Sequence, residues 1–320
     1  MTALRTVMDA SLVAHRHDQT ATLAIVVQTE GSTYVRAGAL ALFVTDATPV
    51  GWLSGGCLEP EIARCAAEVA QRNALGWMCI DTRDDEDLFA GSAVGCRGKL
   101  HIALLPLRQL QQWPQLVAAW QAGQGTLHLQ FVDEGVVDAS LGLHRQRWEF
   151  AEVESFHDAP ALAAVELQLP PPPSLLVLGA GPETGFLLPQ LRTLGWMSTL
   201  IERRPRWLAQ AQHADAFIRG SFEDLPHAAR FDAALVMHHH FDMDREALTA
   251  LAATAIPFLG LLGPRRRHDD LFKLIPDALQ ARLSPRLHSP VGIKLGGQGP
   301  QAIALSIAAQ LQLLHSGERQ

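Results

Sequence analysis

The sequence predicts an α/β protein with an N-terminal α+β domain followed by a doubly wound parallel-sheet domain. Three observations predict it. From residue 174 onward, short continuous apolar runs alternate with helical stretches, the pattern of a parallel sheet covered on both faces. The first of these runs, "SLLVLGAG" (174–181), ends in glycines, as a Rossmann-like strand does before its helix. Between the halves, Pro170 to Pro173 lack backbone donors and favour an extended, semi-rigid spacer. These features place the domains at 1–169 and 174–320, with 170–173 as the linker.

The composition bounds the function. The chain has 320 residues, of which 48% are hydrophobic and 18% charged, enough apolar material for two ordinary cores. Its net charge of −7 argues against nucleic acid and anionic membrane surfaces as partners, while leaving room for a local basic pocket. Cys57, Cys65, Cys79 and Cys96 form no C-x-x-C pair and no disulfide framework. Residues 1–18 show helical spacing of Leu4, Val7, Met8 and Leu12 rather than an apolar signal core. No run is long and apolar enough for a membrane span. The expected setting is the reducing cytoplasm, with free thiols.

The first half opens with that amphipathic helix. Two short β-rich runs follow, "TLAIVVQ" (22–28) and "ALALFVT" (39–45), then a turn at 46–49. Residues 63–73 read as a helix, with Pro60 and Glu61 suited to its first turn. "KLHIALLPL" (99–107) reads as a strand and residues 108–121 as a helix broken near Pro114. The runs at 126–132 and 136–141 flank "DEG", a hairpin signal.

In the second half, strands are expected at 174–181, 197–202, 216–220, 231–238 and 257–263, with helices between them, including 244–254. The glycine loop is Gly179-Ala180-Gly181-Pro182-Glu183-Thr184-Gly185. Gly179 and Gly181 would let backbone amides approach a phosphate, and Glu202, ending the second strand, sits where a carboxylate binds ribose hydroxyls. Against an ordinary dinucleotide site, the third glycine falls one place late and Glu183 adds a negative charge beside the phosphate position. Pro189 falls where the second helical turn should be, so the helix is intact only if it begins near Leu187. Two readings stand: an NAD(P) site, or glycines that only make a tight turn.

Several loops carry further candidate residues. Gly55 and Gly56 allow a sharp turn before Cys57, which lies at a helix start where a thiolate is favoured. The alternative is a small buried turn residue. Cys96 sits in a glycine-rich loop beside Arg97 and Lys99, whose charges favour a thiolate in the same way. Gly31, Ser32, Thr33, Arg36 and Gly38 combine hydroxyls, amides and a guanidinium suited to an anion, or make a polar hairpin. Arg265, Arg266 and Arg267 follow the fifth strand at the sheet edge where ligands bind, and read equally as a solvated charge run. His238 to His240 are consecutive and cannot all face one ion; Asp242 and Asp244 suit a helix cap. "SPVGIKLGGQGP" leads into a helix with Ile303 and Ile307 on its apolar stripe. Cys65 and Cys79 read as structural.

Taken together, "EGSTYVRAGALALFVT", "VGWLSGGCLEPEIARCA" and "VGCRGKLHIALLPL" resemble the N-terminal domain of the XdhC/CoxI family, the xanthine dehydrogenase accessory proteins. "LLVLGAGPETGFLLPQLRTLGWMSTLIERRP", "GLLGPRRR" and "LHSPVGIKLGGQGPQAIALSIAAQL" resemble that family's Rossmann-like domain, in the family's order. Two departures stand out. Ala37 occupies a position where proline is common, and Arg97 one where glycine is common.

The resemblance implies a maturation chaperone rather than a catalyst, and no catalytic residue is assigned. Such a protein would bind molybdenum cofactor, a phosphorylated pterin dithiolene, and protect it during sulfuration. It would then aid insertion into a molybdenum hydroxylase such as xanthine or aldehyde dehydrogenase. A cysteine desulfurase and a second copy of the chain are the other implied partners. The residues it implies around the cofactor are Gly31, Ser32, Thr33, Arg36, Gly55, Gly56, Cys57, Cys96 and Arg97, with Gly179, Gly181, Glu202, Arg265 and Arg266 at the Rossmann-like edge. Cys57 and Cys96 are the expected contacts to molybdenum or sulfur, and should face one cleft. The alternative is an NAD(P)-dependent oxidoreductase. The sequence shows no Tyr-x-x-x-Lys or His/Asp hydride-transfer constellation, and Tyr34 is its single tyrosine.

Overall fold

The computed structural model describes residues 4–56, 58–82, 97–157, 159–162, 164–226 and 229–317. The chain divides into two compact units, Met1–Pro172 and Pro173–Gln320.

The first unit runs α1 (Leu4–Arg16), β1 (Ala21–Gly31), β2 (Leu40–Val44), α2 (Glu59–Arg72), β3 (Leu75–Asp81), β4 (Gly98–Pro106), α3 (Trp113–Gln121), β5 (Leu127–Asp133), β6 (Val136–Leu141), β7 (His144–Glu149), β8 (Val153–Phe156) and β9 (Val165–Leu169). One sheet has the order β2-β1-β4-β3-β8 and a second the order β7-β6-β5-β9. Strand β1 separates two cores. Leu23, Ile25 and Val27 join α1, α3 and the second sheet on one face, while Ala24 and Val26 join Ile62, Cys65 and Val69 of α2 on the other. The two-residue side-chain period of a strand dictates this split.

Helix α2 is amphipathic, and its buried Ile62 and Val69 each contribute roughly 1.5–3 kcal/mol through burial. Pro60 stands in its first turn, where a missing N–H is harmless, and Asn73 ends it in a left-handed conformation. The Thr22 hydroxyl donates to the Ala66 carbonyl at 2.7 Å, fixing helix to sheet. Pro114 begins α3 rather than breaking a longer helix, for the same reason that Pro60 is tolerated.

The second unit runs β10 (Ser174–Leu178), α4 (Thr184–Thr193), β11 (Met197–Ile201), β12 (Ala216–Ile218), β13 (Ala233–Val236), α5 (Phe241–Leu251), β14 (Phe258–Leu261), α6 (Arg265–Phe272), α7 (Asp277–Leu283), β15 (Leu287–His288) and α8 (Pro300–Gly317). Its sheet is parallel throughout, with the order β12-β11-β10-β13-β14-β15. This is the Rossmann order, with its switch point between β10 and β13. Residues of β10 and β13 are buried on both faces, which is why they read as continuous apolar runs. Helix α4 begins at Thr184, not near Leu187, and carries Pro189 inside it. Pro189 is exposed, so the lost bond falls on the solvent side of the helix. The buried stripe of α8 is Ala304, Ile307, Ala308 and Leu311; Ile303 is largely outside it.

Candidate functional site

In the first unit the register of the β1–β4 pair decides what meets. Gly31 at the end of β1 stands opposite Gly98 at the start of β4. The Ser32 amide donates to the Arg97 carbonyl at 3.0 Å. Contact here is backbone to backbone. A Cβ on Gly98 would lie 2.5 Å from the Ser32 carbonyl oxygen and 2.7 Å from that of Glu30. A Cβ on Gly31 would lie 2.8 Å from the Arg97 carbonyl oxygen, and φ of Gly31 is +68°. The structure thus brings Gly31, Ser32 and Thr33 beside Arg97. The side chains of Ser32, Arg36 and Arg97 are exposed. The Thr33 hydroxyl, however, donates to the Val35 carbonyl at 2.6 Å and closes its own turn. Gly38 returns the loop to the sheet, its amide bonded to Val26.

The loop before α2 is held by a residue that sequence reasoning missed. Glu59, buried, accepts the Leu53 amide at 3.1 Å and the Ser54 amide at 2.7 Å on one oxygen, and the Ser54 hydroxyl on the other. The Ser54 oxygen in turn accepts the amides of Gly56 and Leu58. Burial pushes the Glu59 carboxyl up, but the bonds from Ser54, from its own amide and from that of Leu53 outweigh it and leave the group below its ordinary range. Acidic residues are so common in first helical turns that Glu59 gave no particular signal. Gly55 faces open space, and Gly56 adopts φ +104°. Trp52, half exposed, lies beside Gly56, and Tyr34 is exposed to a similar degree on the neighbouring loop. Because the short 73–74 connection joins α2 to β3, and β3 runs parallel to β1, the first turn of α2 points toward the end of the sheet that carries the 31–38 loop. Val35 and Leu53 bury into one core. Cys57 and Cys96, expected to share a cleft, lie outside the described residues.

At the Rossmann-like switch point the geometry departs from the nucleotide expectation. Glu202 is fully buried and both its oxygens are taken up by internal donors. One oxygen accepts the amides of Arg203 and Arg204, each at 2.8 Å, and Arg204 Nε at 3.0 Å; the other accepts the Ala180 amide at 2.8 Å and Arg204 Nη2 at 2.6 Å. Arg204 also donates to the carbonyls of Ala180 and His238. The loop amides are committed too: Gly179 donates to the Ile201 carbonyl and Gly181 to the Thr184 hydroxyl. Glu183, also buried, lies against Gly181 and bonds His239 Nε2 at 2.7 Å. A Cβ on Gly179 would fall 2.5 Å from the His238 ring. The glycines therefore serve close internal packing, and the amides that would cradle a pyrophosphate already have partners.

The other sheet-edge candidates separate. Arg265 and Arg266 are exposed in the first turn of α6, with Arg266 3.7 Å from Asp270. Arg267 instead is drawn onto Asp244, which is fully buried and also pairs with His238 Nδ1 at 3.1 Å. Asp244 thus anchors His238 and Arg267 rather than capping α5 by its side chain. His238 and His239 point to different carboxylates, and His240 precedes α5 exposed. Among the described residues, no helix is long and apolar enough to cross a membrane.

A parallel Rossmann-type unit whose glycine-loop amides are bonded internally, preceded by an α+β unit with exposed arginines and glycines in its loops, defines a two-unit protein of Rossmann-like class. The family model described as "XdhC and CoxI family" matches residues 14–76, and that described as "XdhC Rossmann domain" matches residues 175–311. The chain belongs to the XdhC and CoxI family, the xanthine dehydrogenase accessory proteins. It is 27% identical to a probable xanthine dehydrogenase subunit from Bacillus subtilis (strain 168), covering 96% of each chain. It is 37% identical over 71 residues to the uncharacterized protein YqeB of Escherichia coli (strain K12), a match spanning 22% of this chain and 13% of that one. Among solved structures it is similar to a xanthine dehydrogenase from Bacillus halodurans, with a TM-score of 0.77, 26% identity, and coverage of 98% of this chain and 97% of that one.

Proposed function

We propose that the protein holds molybdenum cofactor on the loops of its first unit and delivers it to a molybdenum hydroxylase of the xanthine dehydrogenase type. The observation that carries this reading is the Gly31–Gly98 register, which sets the Ser32 amide against the Arg97 carbonyl and brings the exposed Ser32 side chain beside the exposed Arg97. The donor set fits the group. Arg36 and Arg97 offer guanidiniums for a phosphate. Trp52 and Tyr34 offer exposed aromatic faces for a flat pterin, and the uncrowded Gly55 lets a ligand approach the backbone. Cys57 and Cys96 adjoin Gly56 and Arg97 in sequence, and thiolates at both positions would complete the set with sulfur.

In this role the bound cofactor would supply a metal centre able to accept a terminal sulfur. The chain's part is to bind the pterin and exclude competing ligands. A cysteine desulfurase as sulfur donor, a homodimer and a cytoplasmic site of action belong to the same reading. The relatives whose names mention xanthine dehydrogenase support the identity of the client enzyme. The test is binding of isolated molybdenum cofactor to the wild type and to Cys57→Ser, Cys96→Ser, Arg36→Ala and Trp52→Ala. Saturable binding weakened by these changes supports the reading. No binding by the wild type overturns it, and equal binding by all five proteins removes these residues from it.

A further inference from the structure

Helix α2 carries a constellation that the cofactor reading does not use. Glu61 and Cys65 are four residues apart and share one helix face. The His157 ring reaches the same point from the end of β8. His157 Nε2 lies 2.9 Å from Glu61 Oε1, and Cys65 Sγ lies 3.7 Å from the same oxygen. A donor atom from each of the three residues lies within 4.8 Å of the other two. Tetrahedral bonds of about 2.0–2.3 Å need donor separations of roughly 3.3–3.8 Å, so small side-chain rotations suffice. Thiolate, imidazole and carboxylate together suit a borderline-soft divalent cation of the zinc type.

From these three donors we infer that Glu61, Cys65 and His157 form a binding site for a zinc-type divalent cation, with its fourth coordination position open to water.

The surroundings are built for such a site. His157 holds a left-handed backbone (φ 55°), an uncommon conformation for a side-chain-bearing residue. A turn holds it there: the Ser155 hydroxyl donates to the Ala159 carbonyl at 2.8 Å, and the Ala159 amide to the Phe156 carbonyl. Cys65 is rooted in the core, and its sulfur meets Glu61 and Arg64 at the edge of that core. Without a metal, Arg64 occupies the negative end of the site. Its Nη2 lies 2.8 Å from Glu61 Oε1 and 3.3 Å from Cys65 Sγ. Arg64 is more than half exposed and already has another carboxylate, Glu68, at 3.6 Å, so an incoming cation can displace it. The Arg64 hydrogen bond keeps the Glu61 carboxyl ionised, down to about 2, whereas burial pushes the Cys65 thiol up to about 11. Binding therefore replaces the thiol proton with the metal and releases one proton per site.

The test titrates Co2+ into the full-length reduced protein under anaerobic conditions and follows the thiolate-to-cobalt charge-transfer band. The expected result is one equivalent bound, with the band retained in the Cys57→Ser/Cys96→Ser double variant, lost in Cys65→Ser, and displaced by Zn2+. His157→Ala, at an exposed residue, should weaken binding by about tenfold or more, since even outer partners of metal ligands carry that much. Arg64→Ala should tighten it by removing the competing cation. The site is overturned if the wild type shows no band, if the band survives Cys65→Ser but not the double variant, or if His157→Ala leaves the affinity unchanged. The double variant also keeps this outcome separate from that of the molybdenum cofactor experiment.

Discussion

Glu202 and Arg204, two residues apart, form a closed pair at the Rossmann-like switch point: the buried carboxylate takes two bonds from the guanidinium, and the guanidinium extends to the carbonyls of Ala180 and His238. Burial pushes Glu202 up, but Arg204 and the amides of Arg204 and Ala180 outweigh it, so the carboxyl lies below its ordinary range. The pair ties the glycine loop to the ends of three strands. Arg204→Ala should destabilise the second unit by about 3–5 kcal/mol, because it strands a buried charge. The joint change Glu202→Gln/Arg204→Met should recover part of the loss. Urea denaturation measures both, and equal stability of wild type and Arg204→Ala would refute the assignment.

Since the amides of Gly179, Ala180 and Gly181 all have internal partners, NADH and NADPH should show no saturable micromolar binding to the full chain. A fluorescence titration checks this. Tight binding would mean that the Glu202–Arg204 pair opens for a ligand.

Glycines at the first unit's loops should respond unequally to a methyl group. Gly98→Ala drives a Cβ against two carbonyl oxygens and should cost about 1–3 kcal/mol through overpacking. Gly55→Ala meets open space at an ordinary backbone angle and should stay within about 0.5 kcal/mol of wild type. Thermal melts of the two variants make the comparison.

Glu59 should confer acid sensitivity. Its carboxyl is depressed in the fold, so the stability it adds is complete above its ordinary value of 4.5 and is lost as pH falls below that value. Glu59→Gln should therefore be less stable than wild type at neutral pH, with the gap closing as pH drops. Ser54→Ala should cost about 1–3 kcal/mol by leaving the buried carboxylate short of a donor. Melting temperatures measured across the acid range test both.

Much of this was legible because periodicity and burial speak the same language. The runs at 174–181, 197–202 and 231–238 read as strands because both faces of a parallel sheet demand apolar residues. The short strands β7 and β8, polar on one face or exposed, gave no such run and were not apparent in the pattern. The glycine loop left two readings open for a physical reason. A glycine that admits a pyrophosphate and one that admits a neighbouring imidazole look alike in sequence, and only the position of His238 tells them apart. Glu202 likewise sits where a ribose ligand would, and its identity as the partner of Arg204 depends on a side-chain path that spacing does not encode. His157 was invisible because its partners, Glu61 and Cys65, lie far along the chain on another element.

Strand β1 changes character midway. A bulge between Val26 and Gln28 shifts its pairing with β4, and the buried run Ala21–Val27 gives way at that point to the more exposed Gln28–Gly31. Amide hydrogen exchange should therefore be slowest at Leu23–Val26 and rise steeply beyond Gln28. One strand would then combine a segment that opens only with global unfolding and a segment that samples local opening, letting the loop at its end reorganise without loosening either core.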